Sequence, residues 1–215
     1  MRPRVIMHAQ VSLDGCVRGF DDTGIYYAIA ARFNEDMALV GSETMAAAAR
    51  EYPPETEQAF VKPVADPNDR RMLCVVPDSR GTLRNLHVFR DSQYCRDVIV
   101  LVSTSTPAAY LEYLTARDYD FIVAGEARVN LSRALEILYE KFGCRTIRTD
   151  SGGALTSALL TRGLVDEISL IVSPCLVGTG APHLFRSLSL PERSNLELTG
   201  SEAVDGHLWL RYKVL

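Results

Sequence analysis

Residues 145–172, RTIRTDSGGALTSALLTRGLVDEISLIV, contain the pattern that decides the fold class. The segments 145–149 and 167–172 are short runs rich in β-branched residues, which predicts two strands. The segment 154–162 between them has the composition of a helix, and a Gly-Gly pair marks the turn into it. A strand, a helix and another strand in this order predict a βαβ unit, and therefore a parallel sheet.

The same alternation continues along the rest of the chain. The last two strands follow each other without a helix, so we expect a three-layer α/β/α fold whose mostly parallel central sheet has an antiparallel C-terminal edge. No repeat or linker divides the sequence, and residues 1–215 are therefore predicted to be a single domain. Strands are predicted at 4–12, 37–41, 71–76, 87–89, 98–102, 120–124, 196–201 and 208–214, and helices at 27–36, 43–51, 107–117 and 131–142.

Composition excludes several classes of function. The 215 residues include 23 Lys and Arg against 27 Asp and Glu, a net charge of −4, so no basic field favours nucleic acid. The longest uncharged run, 168–185, contains two prolines and two glycines and cannot form a spanning helix. The five cysteines are scattered, which predicts neither disulfides nor a metal site. We therefore expect a cytoplasmic protein with a small-molecule substrate and no membrane partner.

The first strand has one polar face. His8, Gln10, Ser12 and Asp14 alternate with apolar residues, so the four point to the same side. Either this face borders a wet cleft, or the strand lies at a solvated edge of the sheet. On the first interpretation, Gln10 and Asp14 are candidate substrate-binding residues.

Three loops at predicted strand ends have chemistry suited to phosphate. Gly41, Ser42 and Thr44 precede a helix, whose N-terminal amides attract anions, although Ser42 could equally be an ordinary cap. The Gly-Gly loop that starts at Asp150 also opens a helix, and a bare turn is the alternative there. Ser79 and Arg80 could bind a ribose 2′-phosphate, or form an exposed turn. Together the loops suggest a phosphorylated dinucleotide.

Six motifs then occur in a familiar order: SLDG (12–15), VGSET (40–44), PDSRG (77–81), DSGGAL (150–155), GLVDE (163–167) and PCLVGTG (174–180). The set resembles the reductase domain of the bacterial riboflavin-biosynthesis deaminase/reductase and its stand-alone relatives, in the dihydrofolate-reductase-like superfamily. The resemblance covers nearly the whole chain. It implies a dihydrofolate-reductase-like fold, NADPH as cofactor and a homodimer.

The resemblance also implies roles for individual residues. Tyr26 would lie near the nicotinamide, Ser79 and Arg80 near the adenosine end, and Asp150 where the family commonly has a substrate-binding glutamate. We expect Asp150 to hold the substrate as a catalytic residue, with His8 as a candidate proton donor. The cofactor phosphates would be held by the two remaining loops, at Gly41, Ser42, Thr44, Gly152, Gly153, Ala154, Leu155 and Thr156.

The sequence departs from the family at the substrate positions. The riboflavin enzymes usually have lysine at the position of His8 and an ADDPxLTxR stretch where residues 47–53 read AAAREYP. Asp150 is one methylene shorter than the usual glutamate. The implied activity is NADPH-dependent reduction of a ribosylaminopyrimidine phosphate, with hydride transfer to C1′ of the ribosyl imine. A reductase of a pterin, folate or other small carbonyl or imine compound, and an inactive dinucleotide-binding protein, remain alternatives.

Overall fold

A computed structural model describes residues 1–21, 23–50, 53–62, 64, 66, 68–151 and 153–215. The described residues form nine strands, six α-helices and one short 3₁₀ helix, Glu57–Phe60. The strands and α-helices in chain order are β1 (Arg4–Ser12), α1 (Thr23–Ala30), β2 (Met37–Leu39), α2 (Ser42–Ala49), β3 (Met72–Pro77), α3 (His87–Arg90), β4 (Cys95–Val102), α4 (Ala108–Ala116), β5 (Asp120–Val123), α5 (Leu131–Phe142), β6 (Thr146–Thr149), α6 (Gly153–Thr161), β7 (Glu167–Ser173), β8 (Leu196–Val204) and β9 (His207–Val214).

These elements belong to two compact units. The first unit comprises Met1–Pro3 and Asp36–Arg145, and the second comprises Arg4–Glu35 and Thr146–Leu215. The prediction that residues 1–215 form a single domain stays a prediction.

The first unit contains a parallel sheet in the order β5-β4-β3-β2. Its core consists of valines from β3 and β4 packed against Met45 of α2 and Tyr110 and Leu114 of α4. Helix α5 has well-defined ends, because the side chain of Asn130 accepts the amide of Arg133 and the chain leaves the helix at Gly143 with φ +68°.

The second unit contains five strands in the order β6-β1-β7-β9-β8. β1 is paired in parallel with β6 and β7, whereas β9 is antiparallel to both β7 and β8. In a small core of this unit, Ile25 and Ile29 of α1 pack against Ile171 of β7 and Trp209 of β9. The parallel strands with an antiparallel C-terminal pair confirm the predicted α/β class.

Two local predictions are wrong. The helix predicted at 27–36 is α1, which begins at Thr23 and ends at Ala30, and Asn34 beyond it has φ +48°. The strand predicted at 87–89 is the single helical turn α3. No disulfide joins any of the five cysteines, all of which lie within the described residues. Among the described residues, no helix combines the length and the apolar composition needed to cross a membrane.

Candidate active site

The polar face of β1 lies inside the second unit. Because β1 has a neighbouring strand on each side, the interpretation of a solvated edge strand is wrong. Two of the polar side chains of β1 form hydrogen bonds with serines of β7. His8 Nδ1 lies 2.9 Å from Ser169 Oγ, and Gln10 Nε2 donates to Ser173 Oγ at 2.9 Å. Gln10 is half-buried, so the proposed contact of Gln10 with a substrate stays a prediction.

His8 belongs to a chain of neutral hydrogen bonds. Its Nε2 faces the carbonyl oxygen of Tyr26 at 3.3 Å, which can only accept, so we assign the proton to Nε2. Nδ1 is then an acceptor for the hydroxyl of Ser169, whose oxygen accepts Trp209 Nε1–H at 2.8 Å. Burial lowers the pKa of His8 from 6.5 to about 4. The imidazole is therefore neutral at physiological pH.

Asp14 is half-buried and is held by a loop. Its carboxylate accepts the Ser12 hydroxyl at 2.6 Å and the backbone amides of Val177 and Gly178 at 3.1 and 2.7 Å. The Ser12 hydrogen bond, followed by those two amides, holds the pKa of Asp14 well below its ordinary value. Asp14 thus fixes the loop that follows β7, and its expected contact with a substrate stays a prediction.

A charged cluster surrounds the end of β6. The guanidinium of Arg148 donates from Nε to Glu35 Oε1 at 2.6 Å. Its Nη1 donates to the Tyr26 hydroxyl at 3.1 Å and to Asp150 Oδ2 at 2.9 Å. Arg148 and Glu35 have side chains only 4% and 5% exposed, whereas that of Asp150 is 27% exposed. Asp150 is therefore the member of the cluster that a substrate can reach.

The charged cluster has a negative net charge. Burial opposes the charge on Arg148, but Asp150, Tyr26 and Glu35 outweigh burial and raise its pKa. Burial, and then the charge of Asp150, raises the pKa of Tyr26, so the phenol stays protonated. One guanidinium between two carboxylates has a net charge of −1. Such a cluster favours a cationic group beside Asp150.

The loop after β6 leads directly into α6. Gly153 begins the helix half-buried, Ala154 is exposed, and the side chains of Leu155 and Thr156 are buried. The hydroxyl of Thr156 donates to the carbonyl of Ser151. Any contact of Leu155 and Thr156 with a phosphate would therefore be made by their backbone amides. Gly152, which was predicted to bind the cofactor, lies outside the described residues.

The first unit contains a groove with a volume of about 700 Å³. Gly41 is the N-cap of α2 and Ser42 its first residue, so the alternative of Ser42 as the cap is wrong. Ser42 lines the groove, whereas the exposed Thr44 is not among its lining residues. The charged residues of the groove are Glu43, Arg50, Arg80 and Arg84, which sum to a net charge of +2.

An aspartate that the sequence analysis did not single out shapes the loop after β3. The buried carboxylate of Asp78 accepts the amides of Gly81, Thr82 and Leu83 at 3.0, 2.7 and 2.8 Å. Asp78 thereby folds the turn that presents Arg80 to the groove. The Ser79 hydroxyl accepts the amide of Val129 at 2.9 Å and keeps its own proton free to donate.

Sequence reasoning also missed Arg148 and Glu35. The available signal was Arg148 itself, a charged residue in a predicted strand, two positions before Asp150. Side chains two apart on a strand share a face, so the Arg148–Asp150 pair could have been proposed. Glu35 could not, because it lies 113 positions away in sequence.

Comparison with known proteins gives a consistent result. The chain is 29% identical over 188 residues to the 2,5-diamino-6-ribosylamino-4(3H)-pyrimidinone 5′-phosphate reductase of Methanothermobacter thermautotrophicus, covering 83% of this chain and 81% of the relative. It is also 29% identical over 189 residues to the reductase of the same name from Archaeoglobus fulgidus, covering 83% of each.

Solved structures support the fold. The riboflavin biosynthesis reductase Rib7 of Saccharomyces cerevisiae superposes with a TM-score of 0.70 at 21% identity, covering all of this chain and 90% of that one. RibD of Acinetobacter baumannii superposes with a TM-score of 0.68 at 18% identity, and this chain spans 58% of its length. These similarities confirm the expected dihydrofolate-reductase-like fold of RibD reductase domains.

The family model of the RibD C-terminal domain matches residues 3–210, which is nearly the whole chain. The resemblance inferred from the six motifs is thereby confirmed, and the chain belongs to the RibD C-terminal domain family.

Proposed function

We propose that this protein is an NADPH-dependent reductase of a ribosylaminopyrimidine phosphate, with 2,5-diamino-6-ribosylamino-4(3H)-pyrimidinone 5′-phosphate as the first candidate substrate and 5-amino-6-(5-phosphoribosylamino)uracil as the second. The observation that carries the proposal is the reachable carboxylate of Asp150 in a cluster of net charge −1, in a chain of the RibD C-terminal domain family. The two 29% identical relatives are named for the first substrate.

The residues of the first unit fit the adenosine half of NADPH. Arg80 is exposed, lines the positive groove and is held there by the turn that Asp78 organises. A guanidinium can bind a 2′-phosphate through two parallel hydrogen bonds, which favours NADPH over NADH. Ser42 and the first turn of α2 supply a hydroxyl and helical amides in the same groove.

The residues of the second unit fit phosphate and substrate. The first turn of α6, which begins at Gly153, has N-terminal amides that attract phosphate oxygens. Asp150 at the end of β6 would contact the ribosylamine of the substrate. Tyr26, fixed by Arg148, would lie beside the nicotinamide, as the family resemblance implies.

The proposed reaction depends on the negative charge of Asp150. Departure of the ribose ring oxygen, which takes up a proton, converts the ribosylamine into a cationic iminium at C1′. The carboxylate of Asp150 stabilises this cation, while Arg148 and Glu35 hold the carboxylate in place. NADPH, when bound, supplies the hydride that reduces C1′ and completes the ribityl chain.

His8 has a different role in this proposal from the one expected from sequence. Both of its ring nitrogens have partners, and burial lowers its pKa to about 4. A neutral, fully hydrogen-bonded imidazole is a poor proton donor, so we assign His8 to positioning the backbone of Tyr26.

The test is to mix the purified protein with NADPH and the pyrimidinone phosphate, follow the NADPH absorbance and identify the product by mass spectrometry. Oxidation with a ribityl product supports the proposal, and the same assay with NADH is its control. Oxidation only with pterin or folate substrates would favour the broader reductase alternative. Binding without oxidation would favour an inactive dinucleotide-binding protein, and failure to bind NADPH would overturn all three.

Two further proposals remain: a homodimer, which the family resemblance implies, and a cytoplasmic location, which the composition led us to expect. Sedimentation of the purified protein would test the first, and fractionation of cells that produce it would test the second.

A further inference from the structure

Burying the ion pair of Arg148 and Glu35 costs desolvation free energy, and the fold has no evident need for the pair. Side chains that are 4% and 5% exposed lose most of their hydration, and a buried ion pair often stabilises a fold no better than apolar residues would. Arg148 lies on β6 opposite Ile6 of β1, which is fully buried and apolar. An apolar residue at 148 would therefore suit the strand, and the charge calls for another explanation.

The geometry around Arg148 points to Asp150 and Tyr26. Glu35 binds the Nε side of the guanidinium at 2.6 Å, which orients the plane of the group. The Nη1 atom then reaches both the Tyr26 hydroxyl at 3.1 Å and Asp150 Oδ2 at 2.9 Å. One atom of a fixed, planar group thus sets the positions of two groups that come from different elements, α1 and the end of β6.

We propose that Arg148, oriented by Glu35, is a positioning residue that holds the Asp150 carboxylate and the Tyr26 hydroxyl in their places for the reaction. This inference rests on the proposed function, which makes Asp150 the residue that meets the substrate. Arg148 itself is buried and meets neither substrate nor cofactor in the proposal. Its contact with Asp150 is to one oxygen, Oδ2.

Among the residues that the structure describes, the charged and titratable groups around Arg148 come from a few places in the second unit. Tyr26 and, next to it, Tyr27 come from α1, His8 comes from β1, and Glu35 follows α1. Tyr26 and His8 are neutral at physiological pH, so the formal charges in this group of described residues are those of Arg148 and Glu35.

The variants separate positioning from folding. Arg148→Met alone leaves Glu35 buried and unpaired, so the informative variant is the double one, Glu35→Gln with Arg148→Met, which removes both buried charges. Arg148→Lys keeps a cation at this position but lacks the planar guanidinium, so it should retain part of the activity that the double variant loses. Arg32→Met is the matched control, because Arg32 pairs with Glu202 on the surface of the same unit at 3.1 Å, with both side chains about half exposed.

The experiment measures kcat and both KM values for each variant, together with crystal structures. For the double variant we expect kcat to fall by about 100-fold, since a displacement of about 1 Å can have that effect, with the KM for NADPH unchanged. An unchanged kcat in a folded double variant would overturn the inference.

The crystal structures keep the inference separate from the proposed function. If the wild-type protein reduces no pyrimidine substrate, the proposed function fails, and the position of Asp150 decides the inference alone. A carboxylate and a Tyr26 hydroxyl that move in the double variant but not in Arg32→Met support positioning by Arg148. Both groups in their original places would refute it.

Discussion

Replacing His8 by glutamine should remove a large part of the acid sensitivity of the fold. The unfolded chain takes up a proton at His8 near the ordinary pKa of 6.5, whereas the folded chain does so only at about 4. Between these values the unfolded state binds more protons, so stability falls as the pH is lowered. For one such group, the two pKa values give a loss of about 2 kcal/mol between about pH 7.5 and about pH 5. Below pH 4, where the whole difference between the two pKa values counts, the loss in the free energy of unfolding would reach about 3 kcal/mol.

The assay is urea denaturation of the wild-type protein and His8→Gln at both pH values. Glutamine does not titrate, and its amide can still donate to the Tyr26 carbonyl and accept from Ser169. Every other titrating group is common to both proteins, so the difference between their pH dependences reports His8. We expect the variant to lose about 2 kcal/mol less than the wild type on acidification. Equal losses in the two proteins would show that His8 is not a buried neutral imidazole.

Three further changes test the candidate site. Asp150→Asn should lower turnover sharply while leaving the NADPH affinity nearly intact, measured by steady-state kinetics and calorimetry; unchanged turnover would remove Asp150 from the mechanism. Arg80→Met should weaken NADPH binding by about 10-fold or more without affecting NADH, because a charge-assisted hydrogen bond contributes about 1.5–3 kcal/mol; equal loss for both nucleotides would contradict a 2′-phosphate contact. Gly81→Ala should destabilise the protein by at least about 1–2 kcal/mol in urea denaturation, since Gly81 has φ +67° and a Cβ there would lie 2.8 Å from Tyr110; wild-type stability would refute the positive φ.

The elements that could be predicted are those whose signal is local. The limits of β1 and α5 agree with the segments 4–12 and 131–142, because alternation and the spacing of leucines are visible within each segment. The turn α3 was not predictable, since His-Val-Phe suits a strand. There the buried Arg90 pairs with Asp97 at 2.7 Å and donates to two distant carbonyls, so tertiary contacts decide the local conformation.

In the candidate site, too, some features have a local sequence signal and others depend on tertiary contacts. Motifs identified the loops and Asp150, because glycines, small hydroxyls and strand ends are recognisable along the chain. The burial of His8 and the partnership of Arg148 with Glu35 depend on residues far apart in sequence. The polar face of β1 suggested a wet cleft, whereas serines of β7 receive two of its side chains inside the unit.

The Arg148–Glu35 pair also constrains how sequences of this kind can diverge. Losing Arg148 alone leaves Glu35 as a buried ion without its cation, a change that typically destabilises by about 3–5 kcal/mol, a large share of the margin of an ordinary domain. Losing Glu35 alone still leaves Arg148 paired with Asp150. Intermediates that keep Glu35 without Arg148 should therefore be disfavoured. Homologous chains with an aliphatic residue at position 148 are expected to have an uncharged residue at position 35, a covariation that crosses more than half of the polypeptide.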